Sequence, residues 1–226
     1  IDELKTAELE VLDKIKTLSN KELDKIKGIF SSVNVALKRK NMYFNAMANS
    51  KRKDSKGGPY VPLKIKLDDP RIEDKVSAIF KSVDDIEYYR EVMLSVPLGK
   101  PVWSYWVTSR YGTRSDPFKK TKARHKGVDL ASRTGNKVNV KGQGKVIRAE
   151  YAGAYGNLVV VDHGNGFQTK YAHLNKIYVK KGDRLEINDT VGEVGSTGRS
   201  TGPHLHYEVL YKGVNVDPLP FLKAKI

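Results

Sequence analysis

The 226 residues are enough for one large or two modest domains with their own cores, and 39% hydrophobic with 30% charged residues reads as soluble and globular. The absence of cysteine excludes disulfides and thiolate zinc sites, so any metal must sit on His, Asp or Glu. No run approaches the roughly 18 apolar residues of a membrane span, while the net charge of +15 implies either polyanionic partners or a lysine-rich solvated surface.

In chain order, two textures follow. The chain opens at Ile1 with no signal-peptide pattern and is read as a mature or trimmed fragment, from which an upstream signal or membrane anchor could have been removed. From Asp2 to about Leu37, apolar residues recur at three- and four-residue steps (Leu9, Leu12, Ile15, Leu18, then Leu23, Ile26, Phe30, Val33, Leu37). This spacing predicts one amphipathic helix, or two with a break at "LSNKEL", where Ser19 or Asn20 would cap the second. A basic stretch, "SKRKDSKGGPYVP", reads as an exposed loop near 50–62. A further helix is expected from Asp69-Pro70, with Ile72, Val76, Ile79, Phe80, Val83 and Ile86 on one side, stopping before Pro97.

After "VPLGKPVWS" glycine becomes frequent, and short β-rich runs such as "GNLVVVDHG", "FQTKYAHL" and "HLHYEVLY" alternate with Gly, Asn and Asp turns. The expected fold is therefore α+β: a helical N-terminal module over 1–98, then an all-β, mainly antiparallel domain over 99–226.

All five histidines fall in the β half: His125, His163, His173, His204 and His206. His204 and His206 flank one leucine, so on a strand both imidazoles share a face. In "RHKGVDLA", His125 and Asp129 are four apart, which on an extended strand also puts them on one face, with Gly127 between them leaving room. An imidazole and a carboxylate from one strand plus an imidazole from another make a three-ligand zinc site with an open position. The HxH pair can supply that third ligand and leave one histidine for proton transfer or oxyanion stabilisation. His173, at the end of a β-like run, is a second candidate for this work. His163, before a turn in "VDHGNG", is read as structural.

Taken together, "SRYGTRSDPF", "HKGVDLA", "YGNLVVVDHGNGFQTKYAHL" and "VGEVGSTGRSTGPHLHYEV" resemble the lysostaphin/LytM-type zinc metallopeptidases, peptidoglycan hydrolases, from about Val107 to Pro218. The helical half shares none of this resemblance. It implies one zinc ion per chain on His125, Asp129 and His206, with His173 and His204 as the catalytic histidines around it. Which of the two is the general base stays open. Tyr111, Asn157 and Thr201 become candidate substrate-binding residues, and the loop "GSTGRSTGP" would bring its backbone close to an extended peptide.

The expected activity is endopeptidase hydrolysis of peptide cross-links in bacterial peptidoglycan, D,D-type, in cell-wall growth or division. The expected partners are peptidoglycan stem peptides. The expected location is extracytoplasmic and periplasmic, with a membrane tether upstream of residue 1. The helices would serve as a dimerisation or spacer element, or dock on the catalytic groove and inhibit it. An alternative is a catalytically silent LytM-like activator of a cell-wall amidase; the completeness of the five positions speaks against it. No nucleic-acid partner is expected, because the β half has no aromatic-basic signature of RNA binding.

Overall fold

The computed structural model describes residues 2–38, 69–115 and 121–224; the basic stretch near 50–62 lies outside them. Among these residues the chain divides into two compact units, 2–30 with 69–92 and 31–38 with 93–224. The division falls at 92/93 and gives the end of the first helix to the β unit.

Helix α1 (Asp2–Lys38) runs unbroken through "LSNKEL". Neither Gly nor Pro interrupts that stretch, and the modest helix cost of Ser19 and Asn20, about half a kcal/mol each, is too small to end a helix flanked by good formers. Helix α2 (Pro70–Ser95) starts at its proline, whose missing N–H costs nothing in a first turn, and stops before Pro97. In the first unit the two helices run side by side in the same direction: Asp13 pairs with Lys75, Glu22 with Arg90 at 3.3 Å, and the rings of Phe30 and Tyr89 lie 5.6 Å apart. Leu23, Ile26 and Phe30 of α1 are buried, whereas Leu18 and, on α2, Phe80 and Val83 are exposed. The expected apolar stripes are thus buried only in part. No described helix is long and apolar enough to cross a membrane.

The second unit is built on strands β1 (Trp106–Ser109), β2 (Gly112–Ser115), β3 (Lys122–His125), β4 (Val128–Ala131), β5 (Lys137–Asn139), β6 (Gly144–Tyr151), β7 (Asn157–Gly164), β8 (Phe167–Ile177), β9 (Arg184–Leu185), β10 (Thr190–Val194), β11 (His204–Tyr211) and β12 (Val214–Val216), ending in the short helix α3 (Leu219–Lys223). Ten strands form one sheet with the path β1-β4-β11-β8-β7-β6-β9; β12 joins β11, and β10 joins β5 and β8. Every pairing is antiparallel, as the short runs and close turns predict. Buried Val128, Leu130, Val159, Val161, Leu205 and Val209 supply its core, each worth roughly 1.5–3 kcal/mol of apolar burial.

Strands β2 and β3 form a separate two-stranded sheet, unforeseen in the sequence because "GTRS" and "KARH" are short and polar. This corrects the reading of HxxxD. His125 ends β3 in the small sheet and Asp129 lies in β4 of the large one, with a bend at Lys126 and Gly127 between them. Gly127 is needed for a different reason than the one expected. A Cβ there would come within 2.3 Å of the Tyr207 carbonyl oxygen and 3.0 Å of the Glu208 side chain, so the bend passes directly against β11. Gly127→Ala is expected to lower the stability of this unit by roughly 1–3 kcal/mol, the usual range for forced overpacking, read as a lower midpoint of thermal unfolding and accompanied by weaker metal retention.

Candidate metal centre and cleft

The register of β11 against β4 sets His206 directly opposite Asp129 and His204 opposite Ala131. Alternation along β11 keeps both imidazoles on one face, and the bend after β3 swings His125 onto the same point. The three donor atoms converge: His206 Nδ1 is 2.8 Å from Asp129 Oδ1, His125 Nε2 is 3.0 Å from it, and the two nitrogens are 3.1 Å apart. Ligands on a tetrahedral zinc at about 2.0–2.1 Å stand roughly 3.3 Å from one another, so this spacing suits a single ion.

The outer nitrogens settle the tautomers. His125 Nδ1 donates to the Arg110 carbonyl at 2.9 Å, and His206 Nε2 donates to Glu208 Oε1 at 3.1 Å. A carbonyl or carboxylate can only accept, so each ring, when neutral, turns a lone pair inward, and when protonated an N–H toward Asp129. Two lone pairs and a carboxylate oxygen at these distances repel one another unless a positive charge, a proton or a metal ion, lies among them. Burial pulls His206 toward its neutral form, but its bonds with Asp129 and Glu208 raise its pKa overall. Burial likewise pushes Asp129 up, and the bonds from His125 and His206 outweigh it, holding the carboxyl well below the usual carboxylate range. Among the described residues, His125, Asp129 and His206 form the one group with the spacing to hold a metal ion, and all three are buried. The residues present fit a zinc ion.

Glu208, which the sequence reading did not single out, stands directly behind the cluster. Its fully buried carboxylate accepts four donors: His206, the Tyr155 hydroxyl at 2.9 Å, Asn215 Nδ2 at 2.8 Å and Lys170 Nζ at 3.1 Å. Burial pushes Glu208 up, but these partners, His206 first, lower its pKa to about 2, so it stays ionised behind the imidazole. The signal was present in "HLHYE", where position 208 shares the face of His204 and His206 by alternation.

His204 and His173 stand beside this cluster. His204 Nδ1 donates to the Gly202 carbonyl at 2.8 Å, leaving Nε2 facing the ligands, 3.7 Å from Asp129 Oδ1. The rings of His173 and His204 are 4.8 Å apart, and those of His173 and His206 5.9 Å. His173 Nδ1 donates to the Thr197 carbonyl at 2.8 Å. Burial lowers its pKa to about 4. His173 has φ +60°, a left-handed conformation that costs a non-glycine residue energy, and it sits where two residues of β8, Ala172 and His173, oppose one of β7, Leu158. This bulge re-aims the side chain.

Of the three candidate substrate residues, Thr201 lines the cleft of about 490 Å³ over the site, and Tyr111 and Asn157 do not. Asn157 Nδ2 donates to the carbonyls of Leu174 and Asn175, bracing the strand just after the His173 bulge. Tyr111 donates its hydroxyl to the Asn215 carbonyl at 2.8 Å. The glycine loop also approaches the chain's own backbone: a Cβ on Gly198, at φ +71°, would lie 2.3 Å from Gly156 N. His163 is buried away from the cluster, bonded to the Gly142 and Gln143 carbonyls and to Thr169, as its structural reading expects.

Residues 123–218 match peptidase family M23, and this stretch is an M23 metallopeptidase domain of the LytM/lysostaphin type. Over 128 residues the chain is 41% identical to the peptidoglycan DD-endopeptidase ShyA of Vibrio cholerae, covering 56% of this chain and 29% of that protein. It is 40% identical over 113 residues to the DD-carboxypeptidase/endopeptidase Mpg of Neisseria meningitidis, covering 50% and 26%. A zinc containing peptidase from Vibrio cholerae superposes with TM-score 0.50 at 36% identity, covering 58% of this chain and 40% of that one. The chain spans under a third of the length of these two curated relatives.

Two outcomes are expected for the metal centre. Glu208→Gln weakens zinc binding about 10–100-fold, the usual cost of losing such a brace, measured by competition with a chromophoric chelator. Because the metal-free His206 holds its proton more tightly than an ordinary imidazole, protons compete with zinc increasingly as pH falls. Apparent zinc affinity therefore drops on going from about pH 8 to about pH 5.5, in the same titration.

Proposed function

We infer that the chain is a zinc-dependent endopeptidase that hydrolyses D,D-type peptide cross-links of bacterial peptidoglycan outside the cytoplasm, in the periplasm. The carrying observation is the two-tier arrangement of histidines: two imidazoles and a carboxylate converge as ligands, and two further imidazoles stand against them in an open cleft. The naming of ShyA and Mpg as peptidoglycan DD-endopeptidase and DD-carboxypeptidase/endopeptidase supports the substrate and the bond.

His125, Asp129 and His206 would hold the zinc ion. Bound there, zinc supplies a Lewis acid that polarises a carbonyl and lowers the pKa of water toward neutrality. The chain's own contribution is proton handling and orientation. His173, with its pKa near 4, is neutral at physiological pH, and its Nδ1–H is committed to Thr197. His204 is committed in the same way to Gly202. Each therefore offers Nε2 as an acceptor that can take a proton from an attacking water and return it to the departing amine nitrogen. Ser200, Thr201 and Gly202 line the cleft and can orient an extended peptide.

The test uses the full chain, His206→Ala and His204→Ala, with zinc content and release of monomers from purified cross-linked muropeptide dimers as readouts. The wild type is expected to carry about one zinc and to release monomers. His206→Ala is expected to lose both properties, and His204→Ala to keep zinc while slowing at least about 100-fold. Zinc binding without monomer release would overturn the endopeptidase reading in favour of the silent amidase activator. Lack of zinc in the wild type would overturn both the metal and the mechanism. A full chain that digests dimers unaided would also dispense with inhibition by the helices.

A further inference from the structure

The cleft carries more positive charge than the chemistry at its floor requires. Arg114 and Arg124 of the small β2–β3 sheet and Lys126 of the following bend line it, as does Arg199 of the loop between β10 and β11. Its carboxylates are already committed: Asp129 to the metal cluster, and Glu208 to His206, Tyr155, Asn215 and Lys170. Arg114 answers to Asp129, and cleaving a neutral amide calls for none of the other three cations.

Arg124 is the best defined of them. Its Nη2 donates to the Tyr111 hydroxyl at 3.1 Å and its guanidinium lies 5.9 Å from the centre of the Tyr111 ring, while that hydroxyl donates to the Asn215 carbonyl. Tyr111 thus orients, from outside the cleft, a guanidinium that lines it. Arg124 is exposed, and one contact leaves most of its five N–H donors for a ligand. Arg199 lines the same cleft from a different segment, the loop between β10 and β11, with its backbone N–H fastened to the Ala154 carbonyl at 2.9 Å. Arg114, by contrast, reaches Asp129 Oδ2 at 3.4 Å and serves the metal ligand.

We propose that Arg124 and Arg199 form carboxylate-binding subsites, so that the enzyme selects acidic peptides whose free side-chain or terminal carboxylates flank the scissile bond. This rests on the endopeptidase reading above. Guanidinium–carboxylate pairs are charge-assisted, directional and often bidentate, which suits them to fixing the register of an extended peptide. Tyr111 is a positioning residue in this scheme, acting through Arg124.

The test compares kcat/KM of the zinc-loaded full chain on cross-linked muropeptide dimers with free carboxylates and on the same dimers with those carboxylates amidated. The wild type is expected to prefer the free acid about tenfold, about the effect of one partly exposed charge-assisted pair, and the preference should shrink as ionic strength rises. Arg124→Gln and Arg199→Gln each lower the ratio of the two substrates, mainly through KM, and Tyr111→Phe lowers it to a lesser extent. The ratio is internal to each preparation, so a partly unfolded variant does not distort it. Equal turnover of the two dimers by the wild type, or an undiminished ratio in both arginine variants, would overturn the proposal. Turnover of neither dimer by the wild type would instead overturn the endopeptidase reading beneath it.

Discussion

Three electron-rich atoms held within about 3 Å of one another are the constraint around which the β unit is organised. They are kept together because each is anchored from behind: His125 by the Arg110 carbonyl, His206 by Glu208, and Asp129 by its place in β4 opposite β11, with Arg114 beside it. That convergence of donor atoms suits the point to a divalent cation, and the buried, ionised Glu208 increases the basicity of the imidazole that faces it.

A strained backbone position serves the same centre. His173 adopts a left-handed backbone conformation inside an eleven-residue strand, and regular β8 geometry would aim its side chain elsewhere. The bulge persists because its surroundings hold it on several sides. Thr197 accepts the imidazole N–H through its carbonyl and donates its hydroxyl to Leu174, and Asn157 bridges the Leu174 and Asn175 carbonyls. Gly198, next to Thr197, lets this loop touch Gly156 backbone to backbone. Loop, turn and bulge act as one support, which explains why Asn157 matters to the site although it does not line the cleft.

Much of the site was legible before the fold was known, for local reasons. Alternation in "HLHYE" is a property of any extended chain, so the shared face of His204 and His206 needed no tertiary information, and Glu208 could have been added by the same rule. The lack of cysteine had already confined a metal to His, Asp and Glu. The continuous α1 shows the opposite case: Ser19 and Asn20 are good caps only where the chain already leaves the helix, and here nothing makes it leave.

The sequence by itself determined which side chains could bind a metal or move a proton, and which of them share a strand face, because residue type and two-residue periodicity are local. Only the tertiary structure decided how they meet. His125 and Asp129 come together across a bend between two sheets, not along one strand, and Asp129 meets His206 across 77 residues of chain. The His173 bulge, the bracing of Glu208 and the placement of Arg124 and Arg199 along one cleft depend on the same long-range pairing. Strand register and backbone strain are set by what packs on either side, and no spacing of residues along the chain encodes that packing.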